Sequence, residues 1–82
     1  MKEIRWSARA SNDLDSLDRG IARRIREGLL RYAETGTGDV IRLHGQGGTL
    51  RLRIGDWRIL FENLQDGQIR VLRVLHRSEA YR

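Results

Sequence analysis

The sequence predicts an α+β fold. An N-terminal strand and a two-helix hairpin pack on one face of a mainly antiparallel sheet, in the order β-α-α-β-β-β-β, with a short C-terminal helical turn. Three observations carry this. Residues 8–34 place apolar side chains at helical spacing in two runs. Residues 49–75 alternate polar and apolar, as half-buried strands do. Gly55-Asp56 and Asp66-Gly67 interrupt that alternation where two-residue hairpin loops belong.

Lys2-Glu3-Ile4-Arg5-Trp6 alternates and reads as the first strand. Ser7 is placed to cap a helix over Ala8–Leu17, since a serine hydroxyl can accept from an otherwise unpaired first-turn amide. Ala10, Leu14, Leu17 and Ile21 follow helical spacing, and Asp18-Arg19-Gly20 breaks the run. A second helix, about Ile21–Glu34, carries Ile21, Ile25, Leu29, Tyr32 and Ala33 on one stripe. Arg23, Arg24, Arg26, Glu27 and Arg31 fall on its outer side, where a solvated helix face is the ordinary reading. Gly36 suits the C-terminal cap. Val40-Ile41-Arg42-Leu43 forms a short strand, and His44–Gly48 a flexible loop that lacks the Lys-Ser/Thr of a phosphate-binding loop.

Register then assigns faces. A Gly55-Asp56 loop sets Ile54 opposite Trp57, Arg53 opposite Arg58 and Leu52 opposite Ile59. An Asp66-Gly67 loop sets Phe61 opposite Leu72, Leu60 opposite Arg73 and Ile59 opposite Val74. One side therefore holds Leu50, Leu52, Ile54, Trp57, Ile59, Phe61, Leu72 and Val74, ready for the helical stripes. The other holds Arg51, Arg53, Arg58 and Arg73, beside Ile69, Val71 and Leu75. Opposed like charges cost a few tenths of a kcal/mol. The Arg53–Arg58 pair thus reads either as a solvated face balanced by acids such as Glu62, or as a site for a polyanion.

The 82 residues suit a single domain spanning 1–82. With no cysteine there is neither a disulfide framework nor a thiolate metal site, and two histidines are too few ligands for a metal centre. No metal or cofactor is expected. The apolar runs are too short to span a bilayer and the start lacks a signal-peptide core, so a cytoplasmic protein without a membrane partner is expected. The net charge is +5 and the pI about 11.0. All basic residues but Lys2 are arginine, whose fork fits phosphate in a way lysine cannot. The surplus is spread along the chain, so an anion site has to come from geometry rather than from a basic tail.

The element order, the run Leu50-Arg51-Leu52-Arg53-Ile54-Gly55-Asp56-Trp57-Arg58 and the ending His76-Arg77-Ser78-Glu79-Ala80-Tyr81-Arg82 together resemble the RelE/ParE superfamily of type II toxins. The resemblance covers nearly the whole chain and is strongest from Leu43 onward. RelE-like members cut mRNA in the ribosomal A site; ParE-like members poison DNA gyrase. The resemblance implies a metal-independent, ribosome-dependent endoribonuclease with Arg51, Arg53, Arg58, Arg77 and Tyr81 as catalytic residues, and Arg73 and His76 as RNA contacts. Arg51 and Arg53 stand where well-known members carry lysines. It also implies a cognate antitoxin, mRNA and the ribosome as partners, with oligomers formed only through the antitoxin complex. Ile69, Val71 and Leu75 are then candidates for the antitoxin's footprint. The alternative is a non-catalytic, ParE-like gyrase inhibitor.

Cleavage in this family is attack of a 2′-OH on the adjacent phosphate, which needs a base, an acid and cations around the phosphate. Arginine cannot serve as the base, because its pKa exceeds ~12. Tyr81, starting near ~10, or His76, near ~6.5, has to move the proton. Register sets His76 opposite Trp57 on the apolar side, which counts against it. Tyr81 could instead stack on a base. For Arg77 and Tyr81 the ordinary reading is a turn that fastens the C-terminus.

Overall fold

A computed structural model describes residues 2–45 and 47–80. The strands are β1 (Ile4–Trp6), β2 (Asp39–Arg42), β3 (Leu50–Ile54), β4 (Trp57–Asn63) and β5 (Ile69–His76). The helices α1 (Ala8–Asp15) and α2 (Arg19–Thr35) lie between β1 and β2. The sheet order is β1-β5-β4-β3-β2; β1 runs parallel to β5 and every other pair is antiparallel. The α+β architecture expected from the sequence is the one found.

Local chemistry sets the helix ends. Ser7 caps α1, its Oγ accepting from Ala10 N at 3.1 Å. Asp18 caps α2 by accepting from Gly20 N at 3.0 Å, so the second helix starts two residues before the expected Ile21. The residues read as a breaker are therefore a cap and a first turn. Gly36, at φ 75°, ends α2 in the left-handed conformation, and its N–H donates to Tyr32 O.

The core lies between the helices and one sheet face. Ala10, Leu14, Ala22, Ile25, Leu29 and Ala33 pack onto Leu52, Ile59, Phe61, Ile69, Val71 and Val74. Each large side chain so buried contributes about 1.5–3 kcal/mol. The three alanines let the helix backbones sit close to the sheet, and Tyr32 meets Phe61 edge-on at 5.2 Å.

The β3–β4 register is the one predicted, from Leu50 opposite Phe61 to Ile54 opposite Trp57. Gly55 has φ 59° and Asp56 a negative φ, as a type II′ loop requires. The β4–β5 hairpin differs. Its loop is Gln65-Asp66-Gly67: Leu64 N donates to Gln68 O, Gly67 N to Leu64 O, and Gly67 has φ 84°. The longer loop moves the pairing by one residue, so Phe61 faces Val71 and Asn63 faces Ile69. An irregularity at Leu60/Phe61, where β5 carries Leu72 as the extra residue, restores the expected pairs Leu60–Arg73 and Ile59–Val74. Ile69 and Val71 are consequently core residues with no exposed surface, not members of the arginine side, and Leu72 is not part of the apolar face as paired in the sequence reading. The extra residue falls where β5 exchanges β1 for Ser7. Ser7 N donates to Val71 O, and Ser7 Oγ to Leu72 O at 3.1 Å.

Candidate nucleic-acid interface

The sheet face away from the core is ordered in two adjacent rungs. One reads Ile41, Arg51, Leu60, Arg73 across β2, β3, β4 and β5. The next reads Asp39, Arg53, Arg58, Leu75. The four arginines thus share a side by register, as the alternation predicts. Their electrostatic surroundings separate them into two kinds.

Arg51 sits between Ile41 and Leu60, and its side chain is only 9% exposed. Apolar neighbours remove water from the guanidinium, and Asp39 replaces it. Nη2 donates to Asp39 Oδ1 at 3.0 Å and approaches the Asp39 carbonyl at 3.4 Å. Arg73 turns to the sheet edge, where Nε and Nη2 donate to Asp13 of α1 at 2.8 and 3.2 Å. Asp13 Oδ2 also accepts from Val74 N at 2.9 Å, closing an amide of β5 that no neighbouring strand reaches. Burial pushes the Asp13 carboxyl up, but the Arg73 fork, the Val74 amide and the nearby Arg9 charge outweigh it and hold it below the ordinary 3.8. The Asp13 contact in turn raises Arg73. Glu62 pairs with Arg70 at 3.1 Å, so it does not balance the Arg53–Arg58 pair.

Arg58 is of the second kind. It is 8% exposed, yet its partners are carbonyls: Nη1 donates to Gly55 O at 3.0 Å and to Trp57 O at 3.1 Å. Its Nε is buried with no hydrogen-bond partner among the described residues. A buried cation held by dipoles alone remains a strong attractor for an anion. Arg53, opposite it, is exposed and forms no ion pair with a described residue. Arg77 is exposed too, and its N–H donates to Asp56 O at 2.8 Å, which ties the segment after β5 to the β3–β4 loop. The loop therefore gathers Arg53, Arg58 and Arg77 at one end of the sheet.

His76 lies on the other side, as register predicts. Its ring meets Trp57 edge-on at 5.2 Å, and Nδ1 lies 3.0 Å from Ser78 Oγ. The His76 carbonyl accepts from Glu79 N and Ala80 N, forming the expected C-terminal turn. Tyr81 lies outside the described residues. The two carboxylates were not singled out in the sequence. Asp13 carried a signal, because it lies between Ala10 and Leu14, beside the buried stripe of α1, where a charge needs a partner. Asp39 carried none, since the glycine-rich loop before β3 leaves the β2–β3 register open.

Residues 4–81 match the model of the ParE toxin of type II toxin–antitoxin systems, parDE. The chain belongs to the RelE/ParE superfamily of type II toxins. Solved RelE structures share its fold. The RelE–RelB complex of Pyrococcus horikoshii is 26% identical with a TM-score of 0.78, covering 96% of this chain and 98% of that one. The RelBE2 toxin–antitoxin complex of Mycobacterium tuberculosis is 26% identical with a TM-score of 0.72, covering 92% and 96%. Isolated RelE of E. coli, at 16% identity and a TM-score of 0.76 over 99% and 92%, shows the fold alone. No curated protein sequence matches. No helix among the described residues of this toxin is long and apolar enough to cross a membrane.

Proposed function

We propose that this toxin is a ribosome-dependent endoribonuclease that cuts mRNA and is inhibited by a cognate antitoxin. The observation that carries the reading is Arg58. A sunken guanidinium, held by two carbonyls and left with an unpartnered Nε, sits between exposed Arg53 and the loop that anchors Arg77. Three cations at one sheet end suit a phosphate that gains charge during in-line attack. Arg53 and Arg77 bind the phosphate, and Arg58 stabilises its developing charge. Tyr81, by the family resemblance, moves the proton or stacks on a base. Arg51 and Arg73 are structural in this reading, since each already holds a carboxylate of its own chain.

The antitoxin covers the same face, and larger assemblies form only through it. Its footprint takes in Leu75 and the exposed Ile41, not the buried Ile69 and Val71. Hydrogen exchange in the complex checks this: unchanged protection of β2 amides argues against such a footprint.

A second reading, a ParE-like inhibitor of DNA gyrase, is favoured by the match of residues 4–81 to the ParE toxin model and by the carboxylates that neutralise two of the expected RNA-facing cations. Purified toxin added to programmed ribosomes separates the two. Mapped mRNA 5′ ends that vanish in both Arg58→Ala and Tyr81→Phe support the nuclease. Absence of cleavage, with DNA breaks accumulating in the presence of gyrase, supports the inhibitor.

A further inference from the structure

Beside the arginine cluster, α2 and β3 enclose a cleft of about 250 Å³. Leu52 and Ile54 line it with Gly28 and Gly38, and Arg24, Arg31, Arg53, Glu27 and Thr37 complete the wall. Two glycines shape it. A Cβ at Gly28 would come within 2.5 Å of Ile54 Cδ1, and one at Gly38 within 2.9 Å of Leu52 Cδ1. The backbone at Gly28 and Gly38 therefore lies directly against the side chains of Ile54 and Leu52, which form the floor of the cleft. The lining residues include three arginines and a single carboxylate, Glu27. None of Arg24, Arg31, Arg53 or Glu27 forms an ion pair within 4.0 Å among the described residues.

We infer that this cleft binds one nucleotide of single-stranded RNA, its base against the half-buried Ile54 and its phosphate among Arg24, Arg31 and Arg53. An apolar patch rimmed by unpaired arginines matches that ligand, a flat ring joined to an anion. The volume lies below the roughly 300–1,000 Å³ of drug-sized sites and suits a single planar ring. A partner helix, about 10–12 Å across, does not fit. Arg53 also stands opposite Arg58, so it links the cleft to the phosphate site and gives the strand a path along the edge of the sheet. The inference rests on the nuclease reading only in naming RNA rather than DNA.

The test is titration of the full-length toxin with uridine 5′-monophosphate and with a short oligouridylate, followed by amide NMR. Shifts are expected at Gly28, Thr37, Gly38 and Ile54. The double variant Arg24→Gln/Arg31→Gln should weaken binding by about tenfold or more, the loss of charge-assisted contacts. Its thermal midpoint should stay unchanged because both side chains are exposed. Arg42→Gln, exposed and outside the cleft, should bind as the parent does. Absence of shifts at those four cleft amides, an unaffected double variant, or inorganic phosphate binding as tightly as the nucleotide would each overturn the inference. So would an acidic peptide that occupies the cleft while the nucleotide does not. Cleavage on ribosomes is scored separately. Nucleotide binding without cleavage keeps the cleft and removes the nuclease; cleavage with a silent cleft does the reverse.

Discussion

Arg51 and Arg58 lie on adjacent strands, on the same side of one sheet, and are about equally buried at 7% and 8% exposure. One donates to a carboxylate and the other to two carbonyls. The same contrast divides Arg73, gripped by Asp13, from Arg77, which is exposed beside the hairpin loop. Neither residue type, nor sheet side, nor burial distinguishes Arg51 from Arg58. The nearest counter-charge does. A guanidinium whose charge is answered inside the chain stiffens the fold, whereas one answered only by dipoles still attracts an anion.

Breaking the second kind should have the largest effect. Arg58→Ala should lower cleavage on programmed ribosomes by about 10²–10³-fold, the range for losing one donor to a developing oxyanion. Breaking the first kind should appear as stability. Asp13→Ala strands both the Arg73 fork and the Val74 amide, and should cost about 2–3 kcal/mol in denaturant unfolding.

The sign of a pH effect sharpens the contrast. Because the folded-state pKa of Asp13 is depressed below 3.8, its contribution is fully present above that value and fades as pH falls through the folded value. Asp13→Asn should be less stable at neutral pH and should lose less stability than the parent on acidification below about pH 4. Equal acid sensitivity in the two proteins would show that another carboxylate governs that limb.

Asp39→Ala should cost less, about 1 kcal/mol or below, since that carboxylate is 57% exposed even though Arg51 is not. Smallest of all is a change in salt dependence. Arg53→Gln should leave the melting midpoint unmoved and reduce the slope of log affinity for single-stranded RNA against log salt by about 0.7. An unchanged slope would remove Arg53 from the phosphate contacts.

Much of this was legible in the amino-acid order. Gly-X between alternating runs specifies a two-residue hairpin, so Arg53 opposite Arg58 follows from local chemistry. Asp66-Gly67 is less decisive because the pair fits a longer loop with glycine in the left-handed position equally well. The irregularity that corrects the register depends on Ser7, more than sixty residues away, whose hydroxyl holds the Leu72 carbonyl. Long-range bonding of that kind leaves no local mark, whereas Ile69 and Val71 were placed on the wrong side because the loop before them holds three residues rather than two. The arginine rungs were legible, but which arginines stay available was not. That depends on Asp13, which α1 brings up to Arg73 from sixty residues away, and on Asp39, which reaches Arg51 across the β2–β3 pairing whose register the glycine-rich loop leaves open.

The most direct test pairs the two kinds of arginine in one assay. Arg77→Gln and Arg73→Gln are compared for mRNA 5′ ends on programmed ribosomes and for thermal unfolding. The expected result is that Arg77→Gln loses cleavage at an unchanged midpoint, while Arg73→Gln melts earlier and still cuts where it is folded. Full cleavage by Arg77→Gln, or a stable but inactive Arg73→Gln, would contradict the division of roles by internal counter-charge.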